Sequence, residues 1–214
     1  PIPGSAALLV QAISNGAAKA SILGSNIHNP FNDGGPELFD RAGQGRVDAF
    51  FLGGGQIDGE GNINLVSTGH YPEPDTRFPG SFGSGYLYFT VPRVILFREE
   101  HSRRVFVKKV DFISAPGWSP PDVHRPGGPY ALITSLCIFI YDKKRHRFRL
   151  DALLPGVALE EVHDNTGFDF DYPDHIGPVV PPEPDRVDLI RSRIAGEIAE
   201  TYPKFARDRL GWNG

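Results

Sequence analysis

Val47-Asp48-Ala49-Phe50-Phe51-Leu52-Gly53-Gly54-Gly55-Gln56 is the stretch on which the fold turns. Residues 47–52 are a nearly continuous apolar run, and it stops abruptly at three successive glycines. A run that is apolar without alternation marks a strand buried on both faces, as in a parallel sheet covered by helices. The glycines predict a sharp turn at that strand's carboxyl end. Ligands gather at the carboxyl ends of strands in such sheets, so Gly53, Gly54, Gly55 and Gln56 are the first candidate binding residues. Without Cβ atoms the backbone can approach a ligand closely and aim N–H groups at a thioester oxyanion or a phosphate. Gln56 adds an amide donor and acceptor. Glycines that only shape a tight turn are the plain alternative.

On the amino-terminal side, residues 5–16 read as a helix, with Ser5 as cap and Asn15-Gly16 as stop. Residues 20–23 read as a short strand, 27–35 as a polar loop, and 37–42 as a short helix entered at Pro36. On the carboxyl side, residues 62–66, 93–97 and 105–110 read as strands, and the apolar stretch 130–141 as one long strand. Residues 147–154 alternate, with Phe148, Leu150 and Ala152 on one face and Arg147, Arg149 and Asp151 on the other. A short helix over 157–164 and a proline-rich arm over 173–184 follow. Val187, Ile190, Ile194 and Ile198 stand at helical spacing in a last helix that starts near Asp185. Strands interspersed with helices and glycine turns predict an α/β fold with a mainly parallel central sheet.

A second glycine-rich loop is Phe78-Pro79-Gly80-Ser81-Phe82-Gly83-Ser84-Gly85-Tyr86. It is neither a dinucleotide fingerprint nor a P-loop, and Ser84 lacks the glycine a nucleophile elbow needs two residues before it. It reads as a ligand-facing loop. Asp58-x-Glu60-x-Asn62 superficially opens like a calcium loop, but Ile63 and Gly69 occupy the positions that need glycine and glutamate, which excludes calcium. Seven histidines are scattered without metal-ligand spacing, so no metal is expected. Cys137, the single cysteine, reads as a small buried residue of a strand. Arg98, Arg103, Arg104, Lys108 and Lys109 form a basic cluster broken by Glu99 and Glu100. It reads as solvated charge, or as a contact for phosphates or for a partner chain.

A net charge of −4 over 214 residues argues against nucleic acid as the main partner. No stretch approaches the ~20 apolar residues of a membrane span and no signal-peptide pattern is present, so a cytoplasmic location is expected. There is no methionine: the initiator was removed before Pro1, or upstream residues are absent.

Several of these segments carry a resemblance by their order. Phe51-Leu52-Gly53-Gly54-Gly55-Gln56-Ile57-Asp58 and Gly61-Asn62-Ile63-Asn64 precede the Phe78–Gly85 loop. Then come Glu100-His101-Ser102-Arg103-Arg104-Val105-Phe106-Val107, Val110-Asp111-Phe112-Ile113-Ser114-Ala115-Pro116-Gly117 and Arg125-Pro126-Gly127-Gly128-Pro129. Leu154-Pro155-Gly156-Val157 and Asn165-Thr166-Gly167-Phe168 close the series. Over roughly residues 20 to 195 the chain resembles the B (beta) subunits of family I coenzyme A-transferases, including glutaconate CoA-transferase and the steroid ring-opening CoA hydrolase.

The resemblance implies a Rossmann-like, ribose-phosphate isomerase-like domain over residues 1–214. Residues 170–214 would form an arm and a helix packed on it. It implies an A-type (alpha) partner subunit, a heterotetramer and an active site at the subunit interface. Coenzyme A would enter as part of the acyl-CoA substrate, with no separately bound cofactor. It places Gly53, Gly54, Gly55, Gln56, Gly80, Ser81, Phe82, Gly83, Ser84 and Gly85 around the thioester. It also places the family's nucleophilic glutamate near Gly24, Ser25 and Asn26, where this chain has no acid. The carboxylate would then come from the other subunit, and the reaction would be hydrolysis or ring opening as readily as CoA transfer. A non-catalytic subunit on the same fold is the alternative. A phosphosugar isomerase of similar fold ranks last, because the candidate loops offer only Asp58 as a base.

Overall fold

The computed structural model describes residues 3–214. The chain divides into two compact units, residues 39–179 on one hand and residues 3–38 with 180–214 on the other.

The larger unit is built on a six-stranded sheet. Its strands are β1 (Ala49–Leu52), β6 (Arg93–Arg98), β7 (Pro129–Thr134), β8 (Cys137–Asp142), β9 (Arg147–Leu153) and β10 (Gly177–Pro178), in the order β1-β6-β7-β8-β9-β10. The pairs β1/β6, β6/β7 and β9/β10 are parallel, and β7/β8 and β8/β9 are antiparallel. Three of the five pairings are thus parallel, in keeping with the α/β, mainly parallel expectation. Two small ribbons hang from the sheet: β2 (Gln56–Ile57) with β3 (Ile63–Asn64), and β4 (Ser67–His70) with β5 (Glu73–Arg77). The helices α3 (Ser84–Thr90) and α4 (Leu159–Asn165) complete the unit.

Several elements differ from expectation. Strand β1 has one neighbour and lies at the sheet's edge, with Ala49 exposed and its other residues half-buried, not buried on both faces. Residues 105–110 make only a single bridge, Phe106 to Ile57. The Val110 N–H turns instead to the Asp58 carboxylate, which takes it out of any ladder. Residues 130–141 are not one strand but the hairpin β7–β8, turned at Ser135-Leu136. Thr134 supplies that turn, its Oγ accepting the N–H groups of Leu136 (3.1 Å) and Cys137 (3.0 Å).

The second glycine-rich loop is fed by β5 and runs into α3, whose cap is Gly83 in the left-handed conformation. Cys137 is fully buried in β8, as expected. The core of the unit is aromatic: Phe139 touches Phe148, Phe168 and Phe170 with ring centroids 5.1–6.2 Å apart.

The smaller unit is helical: α1 (Pro3–Ile13), the first part of α2 (Gly34–Gly43), α5 (Pro184–Leu189), a π-helical turn (Ile190–Ile194), α6 (Ala195–Ala199) and α7 (Pro203–Leu210). Helix α1 already runs at Pro3, so Ser5 lies in its first turn rather than at its cap; left-handed Asn15 and Gly16 follow its end. The predicted apolar stripe is real. Ile194 and Ile198 bury against Leu8, with Leu9, Ile22, Ile190 and Phe205 around them. Residues 20–23 form no strand: a turn at Leu23-Gly24 is closed by Ser25 N–H to Ile22 O, and the Ile22 N–H goes to His28 O.

Candidate active site

The parallel pair β1/β6 ends at Leu52 and Leu96, and the Gly53–Gly55 turn leaves from that carboxyl edge. Gly55 donates its N–H to Asn64 O (2.9 Å), so this donor is committed to β3. A Cβ on Gly55 would stand 2.5 Å from the Phe78 ring, and one on Gly54 would stand 2.9 Å from Ile57. Close packing alone therefore demands both glycines.

The Phe78 contact joins the two glycine-rich loops. The second loop is also bonded to the segment that follows β3, by Phe78 N–H to Val66 O (2.9 Å) and Gly80 N–H to Leu65 O (3.1 Å), next to the Asn64 that accepts the Gly55 N–H. The structure thus brings together the two candidate segments that the sequence separates by about two dozen residues.

Gln56 is placed differently from expectation. It is buried, and its carbonyl oxygen accepts from Asn64 Nδ2 (2.7 Å) and the Asp111 N–H (3.1 Å). Its amide nitrogen donates to Asp111 Oδ2 (3.1 Å), which also accepts the Gly69 N–H (3.0 Å). Gln56 therefore braces the turn from below and ties it to the β4–β5 ribbon. Asp58, the only carboxylate the loops offered as a base, is likewise occupied. Its oxygens accept the N–H groups of Glu60, Asn62 and Val110 and the Asn62 amide. Burial pushes its carboxyl up, and the Asn62 and Val110 donors pull it back.

In the second loop Ser81 O accepts the Ser84 N–H (2.7 Å), while buried Ser84 Oγ has no partner among the described residues. Phe82 is 66% exposed with φ at 39°, between left-handed Gly80 and Gly83. Its ring packs on Phe39, which in turn meets Tyr86 edge-on. No pattern in the sequence marks this cluster, because Phe39 belongs to a distant helix.

Gly24, Ser25 and Asn26 lie in the smaller unit. Ser25 is buried and donates to Glu200, whose carboxylate also accepts the Asn26 N–H (2.7 Å). A Cβ on Gly24 would meet the Thr201 methyl at 3.0 Å. Hydrogen bonds from Ser25 and Asn26 hold the Glu200 carboxyl below its usual range. Glu37, the nearest glutamate downstream, accepts the Asn32 N–H (2.8 Å).

The basic cluster is largely consumed inside the chain. Arg104 pairs with Glu100, and Arg98 approaches the same carboxylate at 3.8 Å. Arg103 donates to Asp164 O and His163 O at the end of α4. It borders a cavity of about 310 Å³ lined also by His163, Thr166, Phe168, Asp169 and Phe170. No residue of the two glycine-rich loops lines that cavity. Behind it lies a network the sequence did not foretell: His101 bonds Thr134 (2.8 Å) and Thr166 (2.9 Å) through its two ring nitrogens. Burial lowers the His101 pKa to about 4 and raises that of neighbouring Cys137 to about 12. That makes the thiol inert at neutral pH. No group of three or more His, Cys, Asp or Glu side chains is placed to hold a metal ion among the described residues, and no helix among them is long and apolar enough to cross a membrane.

Comparison with known proteins identifies the family. Residues 8–165 match the family model "Coenzyme A transferase". The B-type subunit of glutaconate CoA-transferase from Acidaminococcus fermentans is 36% identical over 151 residues, covering 67% of this chain and 56% of that protein. The structure of that organism's glutaconate coenzyme A-transferase matches with a TM-score of 0.66 at 31% identity, over 78% of this chain and 67% of the other. The cholesterol ring-cleaving hydrolase IpdB subunit of Rhodococcus jostii is 29% identical over 177 residues, 81% of this chain and 66% of that protein. The decarboxylase AibA/AibB shares the fold, with a TM-score of 0.70 over 99% of this chain and 90% of the other, at 23% identity. The chain spans 56% to 66% of the length of the curated relatives it matches here. With its model matching most of the chain, the protein belongs to the coenzyme A transferase family.

Proposed function

We propose that this chain is the B-type subunit of a heteromeric, cytoplasmic enzyme that acts on an acyl-CoA thioester. An A-type subunit completes the active site, most simply in a heterotetramer, and both compact units serve as one B-type domain. Coenzyme A enters as part of the substrate. The carrying observation is the junction of the two glycine-rich loops at the carboxyl edge of β1 and β6, in a chain of the coenzyme A transferase family. Gly53, Gly54, Gly80, Ser81, Phe82, Gly83, Ser84 and Gly85 border the thioester in this reading. Gly55 and Gln56 hold the loop that presents it.

The reaction uses no glutamate of this chain in this reading, because residues 24–26 carry no acid and Glu37 stands apart from them on helix α2. Hydrolysis or ring opening, with the carboxylate supplied by the partner, fits better than a ping-pong transfer through a glutamyl thioester on this subunit. The names of the relatives include both a CoA-transferase and a ring-cleaving hydrolase. A non-catalytic role is the second reading, favoured by the internal commitment of Gln56 and of the Gly55 N–H.

The test is co-expression with an A-type subunit and assay of CoA release and transfer. Gly55→Val drives its side chain into Phe78 and should abolish turnover while the subunits still co-elute. Glu37→Gln should leave turnover unchanged. Turnover that survives Gly55→Val favours the non-catalytic reading. Trapping of a glutamate of this chain by borohydride in the presence of acyl-CoA refutes the mechanism.

A further inference from the structure

Phe82 is unusual on two independent counts. Its backbone lies in the left-handed region at φ 39°, which disfavours any residue with a Cβ, and its ring is 66% exposed. The fold recovers little from such a residue, since an exposed ring buries little apolar area. The conformation is nevertheless built in. Gly80 (φ 107°) and Gly83 (φ 67°) bend the chain on either side. The Phe39 ring lies flush on the loop, only 2.4 Å from where a Cβ on Gly83 would stand. Phe39 then supports Phe82 with ring centroids 6.0 Å apart and Tyr86 at 5.9 Å. Tyr86 is itself 45% exposed. The result is a shelf of three rings, with Phe82 mostly and Tyr86 nearly half exposed.

The shelf's place in the structure says what it is for. It stands on the loop whose Phe78 ring packs against Gly55 of the Gly53–Gly55 turn. Residues 53–57 and 78–86 contain no charged side chain. On this subunit's side of the site a group that ends in a carboxylate would shed water without meeting a charged partner, whereas a hydrocarbon gains by leaving water.

We propose that Phe39, Phe82 and Tyr86 receive the hydrocarbon part of the acyl group, so that the enzyme selects acyl-CoAs with an uncharged, apolar acyl group over those ending in a carboxylate. The proposal rests on the reading that the Gly80–Gly85 loop borders the thioester.

The experiment uses the complex with its A-type subunit and two probes, cyclohexanecarbonyl-CoA and glutaryl-CoA. The wild type should favour the first in kcat/KM. Phe82→Ala should raise KM for it about 10- to 100-fold with kcat little changed, the scale on which an apolar pocket discriminates. Phe82→Leu should restore most of that loss, and the glutaryl ester should be handled alike by all three. Phe82→Gly relieves the left-handed backbone, so it should fold as well as the wild type while losing selectivity as Phe82→Ala does.

A wild type that prefers glutaryl-CoA overturns the proposal. So does an equal loss on both esters. If Phe82→Ala and Phe82→Gly fail to co-elute with the A-type subunit, the shelf is a subunit contact, and the proposal falls. If the wild-type complex turns over and binds neither ester, the acyl-CoA reading itself fails and takes the shelf with it.

Discussion

Acid should destabilise this protein through one buried imidazole. His101 is 8% exposed, and its two ring nitrogens are already bonded to Thr134 and Thr166. Burial lowers its pKa to about 4 from the ordinary 6.5. Between those two values the folded chain holds no proton at this site while the unfolded chain holds one. Stability therefore rises with pH across that window and is lost as pH falls through it. Linkage between the two values gives a loss of about 2 kcal/mol at pH 5 and about 3 kcal/mol at pH 4, relative to pH 8. His101→Gln keeps a donor and an acceptor in the site and cannot titrate. Urea unfolding at pH 7.5, 6 and 5 should show the wild type losing stability with a steeper slope than the variant, by about 2 kcal/mol at pH 5. Carboxylates elsewhere act on both proteins and cancel in the difference. Equal slopes, or a wild type that gains stability on acidification, would refute the reasoning.

Thr134→Val strips the hydroxyl from His101 and from the Leu136 and Cys137 N–H groups. It should cost roughly 3 kcal/mol in chemical unfolding, because buried polar groups are left unpaired. The Cys137 thiol, fully buried and with its pKa raised to about 12, should react with a thiol reagent at pH 8 only as fast as the protein unfolds. Labelling of the folded chain would contradict that. Glu200→Ala should accelerate hydrogen exchange at the Asn26 amide, whose N–H it otherwise binds.

What the sequence made legible follows from the range of the forces involved. The apolar stripe of Ile194 and Ile198 and the alternation of Phe148 and Leu150 are periodic within one element, and both emerged as buried faces. The β7–β8 turn was not legible, because Ser135-Leu136 contains neither glycine nor proline; a threonine hydroxyl supplies the turn chemistry instead. Strand β1 looked central because of its apolar run, yet edge or centre is decided by strand order, which a single sequence does not display. Both glycine-rich loops were found as segments. That Gln56 and Asp58 spend their polar atoms inward could not be read in full, since Asp111 and Val110 reach them from 55 and 52 residues away, although Asn62 and Asn64 are local partners.

The family was easier to see than the reaction for a related reason. Much of the motif series that carries the resemblance consists of glycines where two backbones meet. A Cβ on Gly117 would stand 2.0 Å from Glu60 O, and one on Gly167 would stand 2.4 Å from Phe106 O. Such contacts tolerate no side chain, whatever chemistry the enzyme performs, so they record the architecture. Chemistry depends on single side chains, and residues 24–26, near which the resemblance would place the family's glutamate, carry no acid. There the room above Gly24 is taken by the Thr201 methyl, and the Ser25 hydroxyl and Asn26 N–H are held by Glu200. A glutamate introduced at position 24 would press its Cβ against the Thr201 methyl at 3.0 Å, beside a Ser25 and an Asn26 already bonded to Glu200. Gly24→Glu alone should therefore not convert this chain into a ping-pong transferase, and a borohydride-trappable glutamyl thioester at position 24 would show that the segment is free to move.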